Sequence, residues 1–394
     1  MNPKILDSDF QNYLQSIEKE NVNSISLKKS PFASISSAEI AQQVKGKQVA
    51  EKKFPTLYSH QKIYYPPSIN LEQASSEITA NYKAKLVNGK TLIDLTAGFG
   101  IDSIAFSKSF DNVIHVEKNE ELSQIVESNI NNLDLNISCF TGSFEEYFNQ
   151  NPTEKFDCIY LDPARRNSSG RKYILEDLEP NILKYLSFFW ERTDQVLVKL
   201  SPLLDISATI FQVEHVKEIH LVAVKNEMKD FLILLDKNHQ NHNPKIVCAN
   251  LKTNQPELIF NYEDEIHSNV RFSKPKKFIY EPNAAILKSG AFKFITTQFP
   301  VEKLHQNTHL YTSYALLDDF PGKIYEIEKI IENPKKEINQ LKANVLVKNY
   351  NQNIDVLKKK YKIKDGGDKT LIFCQTMDEF NVYLTHRVKQ NQTK

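Results

Sequence analysis

Apolar residues recur at helical spacing at Phe10, Tyr13, Leu14 and Ile17, which predicts a helix over residues 9–20. Ser36 followed by Glu39 has the form of a capping box and opens a second predicted helix over 37–49. Pro55, Pro66 and Pro67 interrupt this pattern, because proline lacks a donor and restricts the residue before it. A third helix is predicted over 70–86. At Lys90 the rhythm changes. Apolar runs at 91–95, 112–116, 137–140, 156–161 and 195–200 read as strands, separated by predicted helices at 101–109, 120–131, 144–149 and 178–190. Residues 218–224 and 230–235 fit a closing antiparallel pair. Strands alternating with helices predict a parallel sheet with right-handed crossovers. After about residue 270 the alternation stops. A basic, proline-containing linker is predicted at 271–277, then strands near Ile295, Tyr311 and 343–347, a helix over 353–361, a turn at Gly366-Gly367 and a strand over 370–373.

Composition narrows the class. The 394 residues suit two or three domains, and 40% hydrophobic content supplies a core and excludes wholesale disorder. With 50 Lys+Arg against 49 Asp+Glu, neither a polycation nor an acidic tail protein fits. No run approaches the roughly 18 apolar residues of a membrane span. The N-terminus lacks the apolar core of a signal peptide, so a cytoplasmic location is expected, with no membrane partner. Cys139, Cys158, Cys248 and Cys374 are far apart and the histidines do not cluster, so no metal site is expected.

The strongest motif is Leu92-Ile-Asp94-Leu-Thr-Ala-Gly98-Phe-Gly100, between a predicted strand and a predicted helix. At the carboxyl edge of a parallel sheet such a turn borders a ligand crevice. The chain has only 10 glycines, and two of them fall within three positions here. Asp94 at the strand end can accept from a ligand ammonium or orient the loop. Glu117 ends the next strand, where an acid can accept from both hydroxyls of a ribose. A dinucleotide site usually shows a third glycine, and here that position is Ser103, with the acidic Asp102 beside it. S-adenosylmethionine carries no phosphate and tolerates the acid, so a methyl donor is favoured over NAD. The plain alternative is a tight turn without a ligand. Asp162-Pro163 ends the fourth strand, where a carboxylate and a stiff turn can hold a nucleophilic amine for in-line attack.

With these motifs in place, residues 90 to about 235 resemble a class I S-adenosylmethionine-dependent methyltransferase. More narrowly, the chain resembles a bacterial group with a C-terminal THUMP-like domain, through Leu71-Glu-Gln-Ala-Ser-Ser-Glu-Ile-Thr-Ala80, Asp162-Pro-Ala-Arg-Arg166, Lys199-Leu-Ser-Pro202 and Glu281-Pro-Asn283. The resemblance implies an α/β architecture: a Rossmann-like seven-stranded methyltransferase domain, an N-terminal helical segment and an α+β appendage. The expected divisions are 1–86 helical, 87–270 methyltransferase, 271–320 ferredoxin-like and 321–394 THUMP-like. Asp94, Gly98, Gly100 and Glu117 would hold the cofactor, and Asp162 with Pro163 would position the nucleophile. Two positions depart from the family pattern. Ala164 and Arg165 replace the Pro and aromatic that often follow Asp-Pro in enzymes acting on flipped bases. The third strand ends in Thr141-Gly142-Ser143 rather than an acid, so Ser143 or backbone groups would meet the adenine.

Basic residues point to the acceptor. Arg165, Arg166, Arg171 and Lys172 crowd the loop after Asp162, where guanidinium forks suit phosphate; ion pairs to Glu176, Asp177 and Glu179 are the alternative. Lys199 can contact substrate or cap the sheet edge. Gln73, Ser75, Ser76 and Glu77 can cover the cofactor or merely cap a helix. Residues 321–364 hold eleven Lys against four Glu and one Asp, a net +6 in a near-neutral chain. The expected function is methyl transfer from S-adenosylmethionine to an RNA. The rivals are a small-molecule or protein methyltransferase, and a non-catalytic RNA-binding protein that keeps the fold as scaffold.

Overall fold

A computed structural model describes residues 1–165, 174–377 and 379–390. The chain forms two compact units, one of Met1–Lys217 with Leu232–His242, the other of Glu218–Phe231 with Asn243–Lys394. Among the described residues no helix is long and apolar enough to cross a membrane.

The first unit opens with short helices that bury one face each. Ser8–Ile17 buries Phe10, Leu14 and Ile17, as its spacing predicts. Ser36 and Glu39 form the expected capping box, and the helix it starts, Ser37–Lys53, runs past the predicted end to Phe54-Pro55. The single helix predicted over 70–86 is instead two, Ser68–Gln73 and Glu77–Ala84. The chain is extended at Ala74, and the Ser76 hydroxyl restarts the helix by accepting from the Thr79 amide at 3.4 Å. That break brings Ser75 to the carboxyl edge of the sheet, as described below. Asn129 of the helix Glu120–Asn132 bonds both backbone groups of Tyr64, at 2.8 and 2.9 Å, which ties the N-terminal segment to the sheet layer.

The strands of this unit are β1 (Gly89–Asp94), β2 (Phe110–Glu117), β3 (Ile137–Thr141), β4 (Cys158–Leu161), a two-residue ribbon of β5 (Ala164–Arg165) and β6 (Leu178–Glu179), and β7 (Gln195–Leu200). The order β3-β2-β1-β4-β7 is parallel throughout. β4 is buried along its whole length, as a central strand covered on both faces must be. β8 (Val216–Val224) and β9 (Glu227–Asp236) follow as neighbouring strands, with β9 beside β7. Their connection, Lys225-Asn226, has φ of 50° and 69°, the pair of left-handed residues that a tight hairpin turn needs. These are the seven strands expected, apart from the ribbon. Two more were not expected: β10 (Lys245–Leu251), parallel to β8, and β11 (Leu258–Asn261), antiparallel to β10.

The second unit also contains β12 (Phe278–Pro282), β13 (Glu302–His305), β14 (Thr308–Ser313), β15 (Gly322–Ile330), β16 (Asn344–Lys348), β17 (Lys369–Thr376) and β18 (Glu379–Arg387). They form one sheet in the order β13-β14-β12-β15-β18-β17-β16. The strand predicted near Ile295 is a short helix, Ile295–Gln298. Its β-branched threonines turn back on the chain, with the Thr296 and Thr297 hydroxyls donating to the Lys293 and Phe294 carbonyls at 2.8 and 2.7 Å. β12 and β15 pair antiparallel from Phe278↔Glu326 to Pro282↔Gly322. One buried cluster joins Ile279, Leu304 and Leu310 to Tyr325, Ile372, Cys374 and Tyr383. The buried Glu281 carboxylate is held by Lys348 at 2.8 Å and Lys323 at 3.4 Å. The sheet and its core therefore run continuously across residue 321. Leu304→Ala is expected to cost about 2–5 kcal/mol and to lower hydrogen-exchange protection in β17 and β18 as well as in β13 and β14. Loss confined to β13 and β14 would contradict the shared core.

Candidate active site

β1 ends at Asp94, and the next six residues turn the chain into the helix Ile101–Phe106. Gly98 and Gly100 both have positive φ, 54° and 78°. At Gly100 a Cβ would lie 2.9 Å from Val126 Cγ1, so space as well as backbone conformation demands glycine. The turn is held at several points. Leu95 donates to the Tyr160 carbonyl at 3.0 Å, and Ala97 to the Val116 carbonyl at 3.1 Å. The Glu117 carboxylate accepts from the Gly98 amide at 3.0 Å and from the Asn119 amide at 2.7 Å. Glu117 thus positions the glycine turn, a role its spacing did not reveal. A carboxylate has about four acceptor sites, so two remain after these bonds.

The turn borders a cleft of about 980 Å³. Asp94, Gly98, Gly100, Glu117, Ser143, Asp162, Pro163 and Lys199 all line it, with Gln73, Ser75 and Asp102. Ser143 is already engaged as a helix cap: its hydroxyl accepts from the Glu146 amide at 3.2 Å. Ser76 is likewise a cap, whereas Ser75 faces the cleft. Arg165 lies in the β5–β6 ribbon, 3.9 Å from Asp177, and is not among the lining residues. Arg166, Arg171 and Lys172 lie outside the described residues.

Three carboxylates meet along this cleft. Asp94 is enclosed and accepts from the Ser103 hydroxyl at 2.8 Å and the Thr96 amide at 3.2 Å. Burial, reinforced by the charge of Asp102, pushes its carboxyl up to about 8. Asp102 faces the wholly buried Lys83 at 2.9 Å and accepts from Ser75 at 2.8 Å and Tyr160 at 2.9 Å. Lys83 also donates to the Ser75 hydroxyl at 2.7 Å. Burial opposes ionisation of Asp102, but Lys83 and Lys199 outweigh it and hold the carboxyl below its usual range. Asp162 accepts from Lys199, and its amide donates to Thr96 Oγ1 at 2.6 Å. About a third of the Asp162 side chain is open to the cleft, at 34% exposure. Burial raises its carboxyl, and Lys199 offsets that only in part.

Asp102 therefore does not act as the unpaired charge that its position suggested. The stronger departure from a dinucleotide site is Ser103, whose side chain fills the place of the third glycine and bonds Asp94. Lys83 escaped detection because a lysine in a short helix ordinarily reads as solvent-facing.

With this geometry in view, comparison with known proteins is informative. A Porphyromonas gingivalis W83 protein described as a candidate methyltransferase is 30% identical, with a TM-score of 0.88 and coverage of 98% of both chains. The conserved hypothetical protein 95 family matches residues 66–193, a ferredoxin-like domain matches 278–321 and a THUMP domain-like family matches 322–387. The chain is a class I methyltransferase with a C-terminal THUMP-like domain. Two curated relatives of this methyltransferase are 23S rRNA (uracil(1939)-C(5))-methyltransferases RlmD. The Aliivibrio salmonicida protein is 31% identical over 99 residues, and the Aliivibrio fischeri protein 28% identical over 140. The matches cover 24% and 32% of this chain and only 23% and 31% of those relatives.

The buried ion pair of the methyltransferase makes a direct stability prediction. Lys83→Met leaves Asp102 without its cation and is expected to cost about 3–5 kcal/mol in urea denaturation. Adding Asp102→Asn is expected to restore part of that loss. A single-variant cost of ~1 kcal/mol or less, typical of an exposed pair, would contradict the pairing.

Proposed function

We propose that this methyltransferase moves a methyl group from S-adenosylmethionine to a heteroatom of an RNA. The charge of the cleft carries the cofactor reading. Among the described residues six acids line it; Asp94 holds its proton and Lys83 neutralises Asp102, which leaves Glu117, Glu145, Asp162 and Glu179 against Lys118 and Lys199. Such a lining suits a cationic ligand and opposes a pyrophosphate. Glu117 fits an adenosine, since its two remaining acceptor sites match the two hydroxyls of a ribose. Bound there, S-adenosylmethionine supplies a methyl already activated on a sulfonium. The chain's task is then to orient: the glycine turn and Glu117 hold the nucleoside, and Asp162 accepts from the acceptor's N–H or O–H and receives its proton.

The RlmD relatives act, by their names, at C(5) of a uracil. That carbon attacks a methyl only after a nucleophile has added to the ring, a task suited to a thiolate. None of the four cysteines lines the cleft, and burial pushes each thiol up to about 12. A nitrogen or oxygen acceptor therefore fits this site better than a carbon.

The RNA reading is supported by the THUMP-like segment and its charge. Of the eleven lysines in 321–364, Lys323, Lys329, Lys348 and Lys358 pair with acids. The other seven, among them Lys359, Lys362 and Lys364, are exposed. Replacing those three by Glu is expected to weaken RNA binding across sequences and to flatten its salt dependence, by about 0.7 in log–log slope per lost single-strand phosphate contact. With a methyl-labelled donor and total cellular RNA, label is expected in the RNA, and Asp162→Ala is expected to lose at least about a hundredfold in rate. Label appearing instead in protein or in small molecules would overturn the RNA assignment. Binding without transfer to any fraction would favour the scaffold reading.

A further inference from the structure

Asp94 differs from the other two carboxylates of the cleft. Asp102 has Lys83, and Asp162 has Lys199. Among the described residues Asp94 accepts only from neutral donors, the Ser103 hydroxyl and the Thr96 amide. The titratable groups around it come from every neighbouring element. His115 of β2 and Tyr160 of β4 flank it in the sheet register. Asp102 comes from the helix Ile101–Phe106, and Asp162 from the turn after β4. His115 carries no charge, because burial pulls its imidazole down to about 3. Tyr160 is a neutral donor to Asp102. Among the described residues, then, no cation pairs with Asp94, and the charges of Asp102 and Asp162 oppose its ionisation. An enclosed carboxylate without a counter-ion keeps its proton unless a positive charge arrives nearby.

We propose that Asp94 is a proton-exchanging counter-charge for a cationic ligand: it is protonated in the empty cleft and releases that proton to solvent when a positive charge binds above it. The inference rests on the reading of the cleft as a methyl-donor site. Asp94 exposes no side-chain surface, so it acts through the low-dielectric wall of the turn and is a positioning residue rather than a contact. The exchange is balanced, one ligand charge in for one proton out. The ligand class is a nucleoside bearing a cation, either a sulfonium or the ammonium of an amino-acid tail. Affinity for such a ligand rises with pH up to about 8 and levels off above it, because binding releases a proton only while Asp94 holds one.

Calorimetry near neutral pH, in two buffers of different ionisation enthalpy, counts the protons released. S-adenosylmethionine, S-adenosylhomocysteine and 5′-methylthioadenosine serve as probes. The last shares the adenosine and thioether but is uncharged. Release approaching one proton is expected with a charged probe and none with 5′-methylthioadenosine. Release with S-adenosylmethionine alone assigns the sulfonium as the cation; release with S-adenosylhomocysteine as well assigns the ammonium; both support the proposal. Asp94→Asn is expected to bind without release, and the wild-type series stands by itself if that variant does not fold. Equal release with all three probes, binding without release, or release that survives Asp94→Asn and disappears in Asp162→Asn would overturn it. Those results leave the methyl-donor reading intact, whereas failure of every probe to bind would overturn that reading and this inference together.

Discussion

Gathering three carboxylates, two of them buried, at the carboxyl edge of one sheet is the constraint on which the rest of the first unit depends. An unpaired buried carboxylate costs several kcal/mol, so each must find donors or a cation. Asp102 takes Lys83, Ser75 and Tyr160; Asp162 takes Lys199; Asp94 takes Ser103 and Thr96. Lys83 and Ser75 come from the N-terminal helical segment, which is why that segment is part of the site. Without it Asp102 would lose its cation and keep only the Tyr160 hydroxyl of these three partners. The break between the helices Ser68–Gln73 and Glu77–Ala84 has the same origin, since an unbroken helix would place Ser75 on a different path.

The same arrangement separates two demands on the cleft. Glu117 satisfies the backbone of the glycine turn and keeps acceptor capacity in reserve, so one side chain builds the turn and leaves acceptor sites open for the nucleoside proposed above. Asp162 is anchored through its amide and through Lys199, yet keeps a third of its side chain open. Rigid backbone with unspent side-chain capacity is what positioning catalysis requires, because the reaction's driving force resides in the methyl donor. In the second unit the ferredoxin-like and THUMP-like segments share one sheet and one buried cluster, so the lysine-rich segment is built onto the ferredoxin-like one.

Much of this was legible in the sequence, for physical reasons that also explain what was not. The β1 strand, the Gly98–Gly100 turn and Glu117 follow from local rules: apolar runs, scarce glycines and a fixed offset to the next strand end. Asp162 was legible because Asp-Pro closes a fully apolar run. Lys83 was not, because its burial is decided by Asp102, 19 residues away in sequence, and periodicity carries no information about charge partners. Ile295-Thr-Thr reads as a strand by composition, but local hydroxyl-to-carbonyl bonds favour a helical turn. β10 and β11 pair with strands of distant sequence or across a short loop, and their runs blend into polar surroundings.

The central claim is that Glu117 joins the glycine turn to a bound nucleoside. Thermal unfolding of wild type and Glu117→Ala, each with and without S-adenosylhomocysteine, tests it most directly. A ligand that binds only the folded state must raise the melting temperature. The expected result is a clear rise in wild type that is lost in Glu117→Ala, with the unliganded variant still unfolding cooperatively. An equal rise in both proteins would contradict the role of Glu117, and no rise in wild type freed of carried-over ligand would contradict the methyl-donor site itself.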